Sequence, residues 1–504
     1  MGSENQACRQ GVSGLAGSAQ AVPNSRPYRK TVTPTTQAAP AARGKQARAV
    51  DRVNWTTGSP RRRRPGHAPR PWVADLFLGL AGLGLGITLA LVVSAESLGS
   101  LSAPGGLLLA GGRLAGFVGT YLILVMIVLI ARLPWLERAM GQDRLVAWHR
   151  RLGPWALWLI TAHVVLITLG YAQMSHTGFL RQLWVFLTTY PDLLAAMVGF
   201  GLLVMAGVTS IRIARRRMRY ETWWVVHLYF YLALALAFAH QVVTGIAFLG
   251  HPLARAFWIV VWAATAGMVL VFRVLLPVVR NLRHQLKVAS ICEEAPGVYS
   301  LTCTGRHLSD LAVSGGQFFQ WRFLARGLWW HAHPYSLSAL PQPPYLRVTV
   351  KGLGDQSRAV ARLRPGTRVF VEGPYGAFTH HVRATNRIVL IGAGVGITPL
   401  RALLEDLPRG VSVTVIIRAS SVEDIAHRAE VAELVAARGG RFYEVLGPRH
   451  AVQLDVRTLR GMVPDLGVSD VYVCGPEGFN DVVMTSCVRA GVPGDRIHVE
   501  AFSF

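Results

Sequence analysis

His149–His163 reads HRRLGPWALWLITAH and His227–His240 reads HLYFYLALALAFAH, two apolar runs each bracketed by imidazoles. Hydrocarbon makes an ionisable side chain costly, so a histidine inside an apolar helix is a functional candidate. Both runs start at the same side of a membrane, as the loop charges below indicate. His149 is then level with His227, and His163 with His240, about 20 Å further on at roughly 1.5 Å rise per residue. One imidazole on each side of an iron is what axial ligation of a haem requires, so two stacked haems are expected. The spacing of His149 and His163 leaves a phase error of about 40° on an ideal helix, and that of His227 and His240 about 140°. The second figure predicts local 3₁₀ tightening or a kink in that helix, or porphyrins set at different angles. Zinc does not suit these positions: the two histidines of one helix are too far apart to share an ion, and no Cys or carboxylate joins them. His67, His176 and His251 read as tail or loop residues.

Working outward, the chain from Trp72 to about Leu276 divides into six apolar segments near the roughly 20 residues needed to cross a bilayer. They are 72–93, 114–131, 152–170, 192–211, 223–245 and 254–276. Arg61–Arg64 precede the first. Arg132, Arg138, Arg144, Arg150 and Arg151 lie between the second and third. Arg212, Arg215, Arg216, Arg217 and Arg219 lie between the fourth and fifth, and Arg280, Arg283 and Lys287 follow the sixth. The alternate loops hold only Arg113, Arg181 and Arg255. Because basic loops stay on the cytoplasmic side, both termini are expected there, in a multi-pass protein of the cell membrane.

The same partition explains the composition. Of 504 residues 51% are hydrophobic and 16% charged, against about 25% in soluble proteins, which excludes disorder and a disulfide scaffold as descriptions of the whole chain and argues against an ordinary soluble enzyme. The net charge of +25 suggests nucleic acid, but it divides as +11 in residues 1–71, +11 in 72–290 and +3 in 291–504. No stretch interleaves those cations with aromatics on one folded surface, and a nucleic-acid partner is not expected. Residues 1–71, rich in Ala, Pro, Gly, Ser and Arg and without periodicity, read as a disordered basic tail that touches anionic lipid. No signal-peptide pattern follows Met1. The five cysteines form no CxxC pair, which suits a reduced compartment.

Past residue 283 the composition is that of a soluble α/β protein. Short β-rich runs such as 346–350 (LRVTV) and 368–372 (RVFVE) predict a small antiparallel barrel over 284–382. After Asn386, strand and helix alternate over 383–504, predicting a parallel nucleotide-binding sheet. His333-Pro334-Tyr335-Ser336 is strand-like, with a ring and hydroxyl that could pack and hydrogen-bond an isoalloxazine. Gly373-Pro374-Tyr375-Gly376 reads as a turn whose glycines let backbone N–H groups approach a phosphate. Gly392, Gly394 and Gly396, with Thr398 and Pro399, follow an apolar strand and open a helix, where phosphate can sit at the helix N-terminus. Their spacing is GxGxG, distinct from the Rossmann GxGxxG. Cys474-Gly475-Pro476 ends a later strand, at the edge where α/β sheets bind ligands.

With four histidines, HPYS, GPYG, GAGVGITP and CGP in one order, residues 72–504 resemble the ferric reductase and NADPH oxidase superfamily. The resemblance implies a membrane α-helical bundle of six helices carrying two b-type haems. A cytoplasmic antiparallel β-barrel FAD domain and an α/β parallel-sheet NAD(P) domain follow it. His149, His163, His227 and His240 match the haem ligands. His333, Pro334, Tyr335 and Ser336 match the flavin motif, with Tyr in place of Phe; Val350, Lys351 and Gly352 resemble the FAD-contacting strand, and Gly373 to Gly376 its pyrophosphate turn. Gly392, Gly394, Gly396, Thr398 and Pro399 match the pyridine-nucleotide loop, and Cys474, Gly475 and Pro476 the nicotinamide-side turn. Phe504 resembles the terminal aromatic that stacks on the flavin. Hydride transfer is expected near Ser336 and Cys474. Arg418, placed just after the second strand of the nucleotide domain, could accept a 2′-phosphate and favours NADPH.

Arg113 resembles an outer-face arginine that oxidases place near the distal haem and oxygen, but it could equally cap the membrane boundary. Where oxidases often carry a second histidine, one turn after the outer ligand of the third span, this chain has Ile167. That departure weakens the case for dedicated superoxide production. The expected acceptor is a ferric or other metal chelate or oxygen, with a superoxide-producing oxidase or an electron donor to a protein partner as alternatives. A membrane transporter with a nucleotide-binding regulatory domain is a remote alternative that predicts neither haem nor flavin.

Overall fold

The computed structural model describes residues 55–56, 72–244, 251–448 and 453–501. Its contacts divide into two compact units. One is Arg70–Leu276; the other is built on the described residues from Pro277 onward and includes Trp55 and Thr56. The division falls at Leu276, seven residues ahead of the expected boundary at 283.

The first unit contains six helices long and apolar enough to cross a membrane. They are α1 (Trp72–Ser94), α2 (Gly106–Ile130), α3 (Gln142–Met174), α4 (Pro191–Ser210), α5 (Tyr220–Thr244) and α6 (Pro252–Val269), the last continuing through a π-helical turn at Leu270–Leu275 into Leu276–His284. The protein is a multi-pass membrane protein. α2 starts eight residues before the expected limit, and glycines along it act as packing sites. A Cβ on Gly112 would meet the Ile167 side chain at 2.9 Å, one on Gly116 would meet His163 Nδ1 at 2.5 Å, and one on Gly119 would meet Ile160 at 2.9 Å. Lipid tails supply no hydrophobic drive between helices, so close backbone approach through small residues holds α2 to α3. The expected 3₁₀ tightening is absent: α5 is α-helical throughout Tyr220–Thr244.

The second unit begins with the terminal turn of the last helix. Asn281 mimics a strand partner: its Nδ2 donates to Val371 O (2.8 Å) and its Oδ1 accepts from Val371 N (2.8 Å). Two three-stranded antiparallel sheets follow, in orders β1-β2-β5 and β4-β3-β6. Their strands are β1 (Lys287–Ala295), β2 (Val298–Thr304), β3 (Phe318–Phe323), β4 (His333–Ser336), β5 (Tyr345–Lys351) and β6 (Val369–Tyr375). Bridges Lys287↔Arg368 and Leu337↔Val348 join the sheets into the expected barrel. The alternation of β3 sends Phe319, Trp321 and Phe323 inward, all fully buried.

The C-terminal part is a five-stranded parallel sheet in the order β11-β10-β7-β8-β9. Its strands are β7 (Arg387–Ala393), β8 (Ser412–Ala419), β9 (Arg441–Leu446), β10 (Asp470–Gly475) and β11 (Ile497–Ala501), flanked by α7 (Ile397–Asp406), α8 (Arg428–Ala436) and α9 (Glu477–Arg489). β7 and β8 are buried nearly end to end, as parallel strands covered on both faces must be. The chain leaves β7 to one side for β8 and β9, and to the other for β10 and β11. The switch point lies between β7 and β10.

A charge network joins barrel to sheet. Arg347 of β5 clamps Glu430 of α8 with bonds of 2.7 and 2.6 Å, and fully buried Arg401 of α7 donates Nε to Glu430 at 2.8 Å. Burial opposes ionisation of Glu430, but the Arg347, His427 and Arg401 interactions hold its carboxyl far below the usual range. Bidentate guanidinium–carboxylate pairs of this kind add directional specificity. Trp55 sits on the network. Its carbonyl accepts from Arg401 Nη2 (2.8 Å) and Gln342 Nε2 (3.1 Å), and its ring lies 4.7 Å from the Arg347 guanidinium carbon. Trp55 is 8% exposed, which corrects the reading of 1–71 as disordered at this residue. An indole has apolar area to bury and a face for a cation, and the tail's composition hides that single residue. The described part of that segment is Trp55 and Thr56; the Arg61–Arg64 run lies outside the described residues.

Trp55→Ala removes the indole face and its packing. It should lower the stability of the second unit by about 1–3 kcal/mol, seen as an earlier thermal transition of the detergent-solubilised protein. An unchanged transition would show that the docking contributes nothing.

Candidate functional sites

In the membrane unit, α3 and α5 bring the four histidines together in two pairs. The ring centroids of His149 and His227 are 6.3 Å apart, and those of His163 and His240 are 6.4 Å apart. An iron between two imidazoles, with bonds of about 2.0–2.1 Å and roughly 1.1 Å from nitrogen to ring centre, would place the centroids about 6.3 Å apart. The pairs meet this requirement with interplanar angles of 77° and 51°, so the phase mismatch of α5 is absorbed by side-chain reach and ring orientation. His149 Nδ1 is 3.2 Å from Met126 O, and His163 Nδ1 is 2.8 Å from Gly112 O. Each bond commits Nδ1 as the donor and leaves Nε2 as the metal-binding nitrogen, the usual second-shell arrangement of a ligating histidine. His227 Nδ1 is 3.3 Å from Ser210 Oγ, and its ring stacks on Trp223 at 5.2 Å and 20°. Among the described residues no cluster of three or more His, Cys, Asp or Glu could hold a metal ion. These residues fit two haems.

In the second unit a cleft is lined by Pro334, Tyr335 and Ser336 of β4, Thr349, Val350 and Lys351 of β5, and Val395 and Thr398 beyond β7. Three expected motifs thus meet at one place. Ser336 Oγ and Thr398 Oγ1, both buried, make no hydrogen bond, and neither does buried His333 Nε2. A native interior seldom leaves such atoms unsatisfied, so they fit a polar ligand seated here, as an isoalloxazine would be. Burial, then the neighbouring His331 charge, pushes His333 down to about 4. It is neutral at pH 7.

The glycine loop and the CGP turn also converge. Cys474 of β10 pairs directly with Gly392 of β7 across the switch point. A Cβ on Gly396 would lie 2.1 Å from Cys474 O, so that position requires glycine. Cys474 is fully buried, and burial with the Glu500 carboxylate nearby raises its thiol well above the usual range. It is a neutral thiol beside the glycine loop, outside the lining of the cleft. Thr398 and Pro399 open α7 in the first turn, where N–H groups are available to phosphate.

Two of these expectations need correction, at Gly373–Tyr375 and at Arg418. Gly373, Pro374 and Tyr375 are the end of β6, with Gly376 following at φ 98°; the Arg280 guanidinium donates to Gly373 O. The ladder with β3 extends to Phe318↔Tyr375 and absorbs what read as a turn. Gly352 donates its N–H to Gly297 O, closing the end of β5. Arg418 lies inside β8, 8% exposed, with its guanidinium on Ala419 O; the apolar strand continues past the point where an arginine suggested its end. Arg113 is held by Glu96 through two bonds of 2.7 Å, the two side chains 18% and 11% exposed. Phe504 lies outside the described residues. The sequence reading passed over Glu96, Asp192 and Thr349. The first two are among only six acids in residues 72–290, and that scarcity was the available signal.

Residues 115–238 match the family model for the ferric reductase like transmembrane component. The chain is similar to an NADPH oxidoreductase of Mycobacterium tuberculosis, 31% identical over 199 residues, or 37% of this chain and 52% of that protein. It is also similar to a flavohemoprotein of Deinococcus radiodurans, 34% identical over 191 residues, or 34% and 47% of the two chains. The chain spans about half the length of these curated relatives. Among solved structures, a ferredoxin NADP+ reductase from Neisseria gonorrhoeae with bound FAD and NADP aligns with TM-score 0.37 and 16% identity, over 44% of this chain and 98% of that one. The family-model match falls within the membrane unit.

Two outcomes are expected. Gly396→Ala must separate the loop from β10, so the dissociation constant for NAD(P)H should rise at least tenfold in titration calorimetry; an unchanged value would contradict the role given to that contact. Half-buried His333 and His380 are both held down to about 4, the latter by desolvation, then His381 and Arg383. The unfolded chain, with His near 6.5, binds more protons between those values, so stability is full above about pH 6.5 and falls as pH drops toward 4. Melting temperature measured from pH 7 to 5 should decline, less steeply in His333→Gln.

Proposed function

We propose that the protein is a transmembrane flavocytochrome b that passes electrons from cytoplasmic NAD(P)H, through FAD and two b-type haems, to an acceptor on the outer face. The carrying observation is the double imidazole pair: two sites of axial-ligand spacing on the same two helices, separated by about 20 Å along the membrane. The basic loops favour His149/His227 as the inner site and His163/His240 as the outer, with both termini cytoplasmic. A nicotinamide gives two electrons as hydride and a haem takes one, and a bound flavin supplies the conversion between them.

This chain's residues do the positioning. Tyr335, Ser336, Val350 and Lys351 form the walls that would receive the flavin, Thr398 offers a free hydroxyl on the nucleotide side, and Gly396 brings the loop to the Cys474 strand end. Neutral His333 and the neutral Cys474 thiol add no charge of their own to the site. NADPH is the proposed donor; Arg418, buried within β8 with its guanidinium on Ala419 O, is not assigned to a 2′-phosphate.

A metal chelate is the proposed acceptor. Arg113 is already engaged by Glu96, and Ile167 packs against Gly112 where a polar group would serve oxygen chemistry. In proteoliposomes loaded with NADPH, an external ferric chelate should be reduced several-fold faster than superoxide forms. His163→Ala should abolish that reduction and leave NADPH oxidation by an added flavin-level acceptor intact. Chelate reduction unaffected by His163→Ala would overturn the reading, and superoxide as the main product would replace the acceptor.

A further inference from the structure

The four imidazoles differ in what stands behind them. His149 and His163 meet backbone carbonyls and His227 a hydroxyl, all neutral acceptors. His240 meets a carboxylate: Asp192 Oδ2 lies 3.9 Å from its Nδ1, with the side chains 23% and 25% exposed. Asp192 is in the first turn of α4, between the outer end of the membrane unit and an apolar helix interior. Its Oδ2 is buried and makes no hydrogen bond, and its ion-pair partner among the described residues is His240. The other acid at this end, Glu96, is matched by an arginine. A carboxylate in such surroundings is costly unless it has a task. The helix N-terminus offsets part of the cost without supplying a proton donor as close as His240 Nδ1.

We infer that Asp192 is a positioning residue for His240: its carboxylate, 3.9 Å from Nδ1, is an ion-pair partner that favours the proton on that nitrogen and so leaves Nε2 as the iron ligand of the outer site. The inference rests on the haem reading above. A carboxylate behind an imidazole makes it a stronger donor, which stabilises the oxidised iron and lowers its potential. One of four ligands is tuned in this way, and it belongs to the site that meets the acceptor. The result is a more reducing terminal centre, suited to an acceptor that is hard to reduce, while the inner site keeps neutral supports on both rings. The electron passes unchanged in number, and the proton stays between His240 and Asp192.

The test is a spectroelectrochemical titration of the full-length, haem-loaded protein in nanodiscs. Asp192→Asn should raise the outer midpoint by about 59 mV, a tenfold change in a one-electron equilibrium, and leave the inner midpoint in place. Asp192→Glu should return it toward the wild-type value. If Asp192→Asn loses the outer haem, restoration of both haem and midpoint by Asp192→Glu supports the inference, and equal loss in both variants overturns it as plain packing. Two haems with both midpoints unmoved in Asp192→Asn also overturn it. A wild-type protein without haem would instead sink the haem reading on which the inference stands.

Discussion

Everything in the membrane unit follows from holding two imidazoles about 6.3 Å apart, twice, inside hydrocarbon. That requirement sets α3 and α5 side by side in the same direction, since only parallel neighbours bring residues 149 and 163 level with 227 and 240. It also fixes how the helices around them pack. α2 must come close enough for the Gly112 carbonyl to reach His163, and a side chain at Gly116 would fill the space His163 occupies. α4 supplies Ser210 behind His227 at one end and Asp192 facing His240 at the other. Polar groups of α2 and α4 thus stand behind all four rings.

The second unit has a matching constraint, the meeting of a barrel and a parallel sheet at one cleft. β4 and β5 provide one wall, and the loop after β7 provides the other. The sheet's switch point brings Cys474 beside Gly392, and the Gly396 contact leaves no room for a side chain. What keeps the two parts in register is the Arg347–Glu430–Arg401 network, away from the cleft and covered by Trp55. Breaking one member of such a buried set costs more than the set adds, because it strands a charge.

Periodicity and charge made much of this legible in the sequence. The six spans, the strand character of His333–Ser336 and the junction of GAGVG with a helix are local properties, carried by short runs of residues. The misses were non-local. Gly373–Tyr375 read as a turn because Gly and Pro punctuate chains, yet the pairing of β6 with β3 extends the strand through them. Arg418 read as a loop residue because charge suggested an end to the strand, but the parallel sheet buries it. Trp55 lay in a composition that argues for disorder, and its partners are nearly 300 residues or more further along. The azimuth of His240 could not be judged from helical phase alone, since ring orientation and reach made up the difference. The pairing of Arg113 with Glu96, 17 residues apart, needed the fold of the connecting segment.

The most direct test is the haem content and spectrum of the purified, haem-replete protein. The account predicts two b-type haems per chain, six-coordinate and low-spin in both redox states, falling to one in His227→Ala. A protein that binds no haem, or that keeps two low-spin haems after that substitution, would contradict it.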